Sequence, residues 1–219
     1  MRELMMRLKS IIFLGLILLS ALLFFIFAGK SNSSSTIPVS ELDPAVGLDN
    51  APITVVMFGR YRCSFSKQFF NEIYPILKEK YIDTGKVKFV YKHFYYPKDP
   101  KKVGAEASLC AHDQGMFWPY NALLYDKVKE WGQLIDKSDV NEIFNPILNQ
   151  YAIELGLDEK AFLECLTTHL HSGKVEQDYS YARDSGVSGT PTFFINDLKI
   201  DGLPSLKDFE SILLKFKGS

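Results

Sequence analysis

The chain has 219 residues, 47% of them hydrophobic, and its 25 Lys and Arg nearly balance its 26 Asp and Glu, leaving a net charge of −1 at pH 7. That balance removes any electrostatic case for a nucleic-acid partner. The length fits one globular domain of ordinary size once a targeting segment is set aside.

Between Ile11 and Ala28 no residue is charged, and Arg2, Arg7 and Lys9 precede the run. Such a stretch just reaches across a bilayer and exceeds a usual signal-peptide core. It ends at Ile26-Phe27-Ala28, a poor match to a small-x-small cleavage site. The expectation is therefore an uncleaved transmembrane signal anchor within 1–29, with a cytoplasmic N-terminus and an extracytoplasmic remainder; cleavage and export is the alternative. The polar Ser31-Asn32-Ser33-Ser34-Ser35-Thr36 reads as a tether within a linker of 30–44, and 45–219 as the folded domain.

Ile53 to Phe58 is β-branched and apolar, as in a buried strand, and Gly59-Arg60-Tyr61-Arg62 interrupts it. Phe65, Phe69, Phe70, Ile73, Leu77 and Tyr81 then recur at helical spacing up to the stop Asp83-Thr84-Gly85, with a kink expected at the interior Pro75. Val87 to Phe94 is a second strand, and strand, helix and strand together make a parallel βαβ unit. A helical block follows over about 100–184, with segments at 103–114, 116–129, 140–155 and from a cap at Asp158 onward. Thr192–Ile195, the turn Asn196-Asp197 and Leu198–Ile200 read as a hairpin. Ser205 with Asp208 forms a capping box for a closing helix whose apolar face is Leu206, Phe209, Leu213 and Phe216.

Cys63 falls where the first strand gives way to the helix. The unpaired N–H groups and positive dipole end there favour an anion, as do Arg60 and Arg62 nearby, so the thiolate is favoured over the thiol. The competing reading is a small buried apolar cysteine.

From Val46 onward the chain resembles the DsbA-like branch of the thioredoxin superfamily. The matching pieces are Val46-Gly47, Asn50-Ala51-Pro52, the Cys-x-x-x site at Cys63, Gly85-Lys86-Val87-Lys88-Phe89, Gln114-Gly115-Met116-Phe117-Trp118 and, most specifically, Gly186-Val187-Ser188-Gly189-Thr190-Pro191-Thr192-Phe193. The resemblance implies a thioredoxin-like α/β fold with a helical insertion. It further implies a cis Pro191 facing the reactive cysteine, and a backbone at Thr190-Pro191 that docks an extended polypeptide.

The site departs from that family at three places. Ser66 stands where the resolving cysteine is expected, Ser64 where proline is common, and Arg60 where an acidic residue is common. A hydroxyl cannot resolve a mixed disulfide, so Cys63 needs an outside thiol, and Ser66 is left as a hydrogen-bond donor to it. Cys110 and Cys165 both lie on helix faces able to meet another helix, and similar cysteines in some relatives form a structural disulfide. Buried free thiols are the alternative. Cys165, His169 and His171 lack a fourth ligand and compete with Cys110 for Cys165, so no metal site is expected. His93 and His112 read as satisfied surface or boundary histidines. No cofactor is implied.

The resulting expectation is a membrane-anchored, extracytoplasmic thiol-disulfide oxidoreductase or isomerase with Cys63 as nucleophile. Its partners are protein or peptide thiols and disulfides, with a membrane redox partner or a low-molecular-weight thiol as resolver. The rival is a peptide-binding or chaperone module that keeps the groove without turnover.

Overall fold

Ile53–Gly59 is buried at every position but one, because it is paired on both edges and covered on both faces. In a computed structural model of the protein, which describes residues 36–96, 102–135 and 140–216, it is strand β2 of a five-stranded sheet ordered β1-β3-β2-β4-β5. The partners are β1 (Ala45–Val46), β3 (Val87–His93), β4 (Thr192–Ile195) and β5 (Leu198–Asp201). β2 runs parallel to β3, with Val55 opposite Phe89, and antiparallel to β4, with Val55 opposite Ile195. Alternation along the strands splits the core. Val55, Met57, Phe89, Tyr91, Phe193 and Ile195 face one side, whereas Val56, Phe58, Val90 and Phe194 face the other.

The first face is covered by helix α1 (64–82) and by α8 (Leu206–Lys215) through Phe69, Ile73, Leu77, Phe209 and Leu213. α1 is not regular. It passes through π-type turns at Phe69–Ile73 and Lys78–Ile82 on either side of the α-helical Tyr74–Leu77. The interior Pro75 has no N–H to donate and its ring crowds the preceding turn, and the wider turn just before it is how the chain accommodates both. α8 begins as the capping box predicts, with the Asp208 amide donating to Ser205 Oγ at 3.2 Å.

The insertion comprises α2 (Val103–Asp113), α3 (Phe117–Asp126), α4 (Val128–Ile135), α5 (Val140–Glu154) and α6 (Glu159–Thr167), followed by α7 (Ser172–Asp184). Its own core gathers Ala107, Tyr120, Leu124, Trp131, Leu148 and Phe162. A disulfide between Cys110 and Cys165 ties α2 to α6 across a sequence separation of 55. α7 packs on the second face of the sheet through Ala182.

One feature of that second face is absent from the hydrophobic pattern. Lys92 of β3 is 1% exposed and reaches Asp43 Oδ1 at 2.7 Å and Asp178 Oδ1 at 3.4 Å. Lys174 contacts the same Asp43 oxygen at 2.6 Å and pairs with Asp178 as well. Two ammonium groups thus meet two carboxylates away from water, and the His93 amide donates to Asp178 Oδ2 at 3.0 Å. Each charge is compensated, which is the condition for burying it.

The α/β fold with a helical insertion is the one expected, but its membrane part is corrected. Among the described residues no helix is long and apolar enough to cross a membrane. The continuous helical run 64–82 carries Lys67, Glu72, Lys78, Glu79 and Lys80, and is half of an interface rather than a lipid-facing rod. The transmembrane helix, signal anchor, single-pass placement, extracytoplasmic location and membrane partner are withdrawn together. The segment 11–28 on which they rested, and all of the tether 31–36 but Thr36, lie outside the described residues.

Replacing Lys92 with Met leaves two buried carboxylates sharing one ammonium, and urea unfolding should show a loss of about 3–5 kcal/mol. Replacing both Cys110 and Cys165 with Ala should lower stability by about 4 kcal/mol, because the unfolded chain regains the freedom of the closed loop. A fall in denaturation midpoint worth less than about 1 kcal/mol in either case would refute the respective assignment.

Candidate active site

β2 ends at Gly59, where a Cβ would fall 2.6 Å from the Tyr91 ring, so the strand can approach β3 this closely only with glycine. The chain then turns, with the Cys63 amide donating to the Arg60 carbonyl at 3.0 Å, and Cys63 becomes the N-cap of α1 with an extended backbone. Its side chain makes no capping bond and points instead across the sheet end. There Cys63 Sγ donates to the Thr190 carbonyl at 3.0 Å. Thr190 precedes Pro191 through a cis peptide bond at the entry to β4, so the antiparallel pairing of β4 with β2 sets the carbonyl opposite the sulfur.

The half-buried thiol titrates under opposed influences. Burial pushes its pKa up, while the Thr190 side chain, the Ser66 amide and hydroxyl and the Phe65 amide pull it down, and the result lies below the ordinary thiol value. Ser66 is fully buried, and its Oγ has no partner at ordinary hydrogen-bond geometry. Its hydroxyl and amide are among the groups that favour the Cys63 thiolate. Behind Ser66 lies Tyr125, whose hydroxyl is 2.8 Å from that of Tyr91. Burial holds both phenols protonated, well above the usual tyrosine range.

The two arginines are placed differently from each other. Arg60 is half-buried with its guanidinium 4.8 Å from the centre of the Tyr96 ring, and Arg62 is exposed. The amides and hydroxyls named above are the groups that lower the thiol pKa. On the other flank Phe65 is 59% exposed and lines a shallow groove with Ile73, Leu203, Pro204 and Leu206. Cys63 is the free cysteine of the chain, the other two being joined.

The structure brings Cys63, Ser66 and Thr190-Pro191 together at one end of the sheet. Two further residues carry no local signal: Tyr125 of α3, which reaches Ser66, and Tyr91 of β3, which bonds to Tyr125. His93 is corrected from a boundary residue to a buried one. It is 2% exposed, within 3.2 Å of Ser108 Oγ, and burial drives its pKa far below the usual imidazole value. His112 is half-buried, and its pKa is also lowered by burial.

Residues 40–215 match the thioredoxin family. Disulfide bond formation protein D of Bacillus subtilis is 28% identical over 191 residues, covering 83% of this chain and 80% of that protein. The Na(+)/H(+) antiporter NhaA 3 of Salinispora tropica is 31% identical over 76% of this chain, which spans 24% of the antiporter. Among solved structures, alpha-DsbA1 of Wolbachia pipientis superposes with a TM-score of 0.70 at 28% identity, covering 83% of this chain and 94% of that one. Oxidised BdbD of Bacillus subtilis gives 0.69 at 24% identity, over 83% and 96%.

Alkylation of Cys63, followed by mass spectrometry against pH, should reach its plateau at lower pH in the folded chain than in the denatured one. Ser66→Ala should move that midpoint upward, because a donor to the thiolate is lost. The linkage has a fixed sign. With the folded pKa below the unfolded one, the thiolate adds stability at alkaline pH, and that increment disappears as pH falls through the folded pKa. Coincident midpoints for folded and denatured chains would contradict the electrostatic reading.

Proposed function

Because the chain belongs to the thioredoxin family, in its DsbA-like branch with a single cysteine in the active-site region, we propose that it is a thiol-disulfide exchange enzyme working through mixed disulfides at Cys63. The observation that carries this reading is that Cys63 is free, has a lowered pKa, and has no thiol partner in the chain, since Cys110 and Cys165 are bonded to each other.

In the first step the Cys63 thiolate attacks one sulfur of a polypeptide disulfide. A new S–S bond forms to Cys63, the substrate S–S bond breaks, and the second substrate sulfur leaves as a thiolate. Resolution comes from a thiol outside the chain. If the substrate's own thiolate attacks, the polypeptide is released with a rearranged disulfide and no net change in oxidation state. If a low-molecular-weight thiol attacks the Cys63 sulfur of the mixed disulfide, an S–S bond forms between that thiol and Cys63, the bond to the substrate breaks, and the substrate cysteine leaves reduced as a thiolate. Direct two-electron oxidation of a dithiol at one site would need a second sulfur at position 66, which is serine.

Thr190 and Pro191 dock an extended polypeptide beside the sulfur, and the apolar groove of Phe65 and Leu203 accepts a neighbouring side chain. Ser66 stabilises Cys63 as attacking and leaving thiolate. Arg60 and Arg62 add positive potential at the mouth of the site, which favours the same anion. The relatives named for disulfide bond formation support the reaction class.

A scrambled, disulfide-containing peptide provides the test. The chain should accelerate its isomerisation, Cys63→Ala should abolish the acceleration, and a Cys63-linked adduct should persist until thiol is added. In Ser66→Cys the adduct should resolve without added thiol, about a thousandfold faster or more, because the second sulfur is supplied at high effective concentration. Peptide binding that survives Cys63→Ala, combined with an unreactive Cys63, would favour the binding-module reading instead.

A further inference from the structure

The second pair of cysteines has an unusual neighbour. One ligand atom each from Cys110, Cys165 and His171 lies within 4.8 Å of the others. Asp113 adjoins them, its Oδ2 being 2.7 Å from His171 Nε2 and 4.0 Å from Cys165 Sγ. Three elements converge to make this cluster. Cys110 and Asp113 are one helical turn apart on α2, Cys165 is on α6, and His171 is the N-cap residue of α7.

The two histidines of this loop have different tasks. His169 is held by Glu106 at 2.7 Å, which leaves His171 as the imidazole beside the sulfurs. The cluster is buried on one side, with Cys110 1% and Cys165 8% exposed, while Asp113 and His171 line a surface groove that gives ions a way in. From the sequence this site lacked a fourth ligand. Asp113 provides it.

We propose that Cys110, Cys165, His171 and Asp113 form a redox-gated site for a divalent ion of the zinc type, taken up when the disulfide is reduced and released when it re-forms. A donor set of two thiolates, one imidazole and one carboxylate suits a borderline-soft ion in tetrahedral geometry and disfavours magnesium and calcium. Metal-sulfur bonds of about 2.3 Å put the sulfurs about 3.8 Å apart. Side-chain rotation covers that separation between Cα atoms 5.9 Å apart.

The chemistry balances with a dithiol as reductant. Two electrons and two protons from the dithiol break the Cys110-Cys165 bond, giving two thiols, and the dithiol becomes a disulfide. The metal then forms two bonds to sulfur, one to nitrogen and one to oxygen, and the two thiol protons pass to solvent. A disulfide oxidant reverses the sequence. It accepts two electrons from the two thiolates and two protons from solvent to become a dithiol, while the Cys110-Cys165 bond re-forms and the metal leaves. The cell thereby gains a chain whose metal content reports its redox history, in a place separate from Cys63.

The test uses the full-length Cys63→Ala chain, so that Cys110 and Cys165 are its thiols, with cobalt(II) as a spectroscopic probe. After anaerobic reduction by a phosphine, cobalt should bind at roughly one ion per chain, with thiolate-to-cobalt charge-transfer absorption and the intense visible bands of a tetrahedral site. Zinc should displace it. The unreduced chain should show neither signal, and His171→Ala and Asp113→Asn should each weaken binding by about tenfold or more. Far-ultraviolet circular dichroism is recorded in parallel. The proposal is overturned if the reduced, folded chain gives no charge-transfer band, or if His171→Ala binds cobalt as tightly as the parent. It is equally overturned if reduction unfolds the chain and cobalt does not restore it.

Discussion

A sulfur anion half withdrawn from water is unfavourable unless donors are already in place to meet it, and the architecture around Cys63 follows from that requirement. The donors are the first amides of α1 and the hydroxyl of Ser66, and α1 can present them only because β2 delivers the chain to that point. The other boundary of the site, the Thr190 carbonyl, is set by β4. β2 lies between β3 and β4 and fixes both distances at once, so the central strand is the part whose displacement would disassemble the site.

Much of this was legible because local and tertiary signals agree. The apolar run of β2, the Asp158 cap that accepts from the Ala161 amide at 2.7 Å, and the Ser205 cap are all short-range chemistry. The missed parts have physical reasons too. β1 is a two-residue strand, too short for any alternation to register. The apolar spacing predicts one helix over 116–129, but the chain divides at Lys127, where the Lys127 amide still bonds to Leu123 while its backbone leaves the helical region, and α4 starts afresh. Pro75 was expected to kink α1, and it is absorbed by wider turns without ending the helix.

The buried ion cluster was the least legible feature. Lys92 in the sequence is an ordinary polar residue in an alternating strand, and the partners that make its burial tolerable are 49 and 86 residues away. The same holds for Ser66, whose meaning depends on Tyr125 approaching from the insertion. Charge and hydrogen-bond compensation are properties of a folded neighbourhood, so their absence from a one-dimensional pattern is expected. The two halves of the domain are also secured by different physics. The insertion is closed covalently, while the segment before β1 is held to the sheet by the Asp43 carboxylate.

The placement of β4 carries a consequence for biosynthesis. Thr54 and Asn196, which hydrogen-bond where β2 meets the end of β4, are separated by 142 residues, so the nucleophile leaves the ribosome long before its docking strand exists. Until then Cys63 is an unshielded thiol, and Cys110 is the next sulfur to emerge, ahead of its native partner Cys165. The earliest disulfide available to the growing chain is therefore a wrong one.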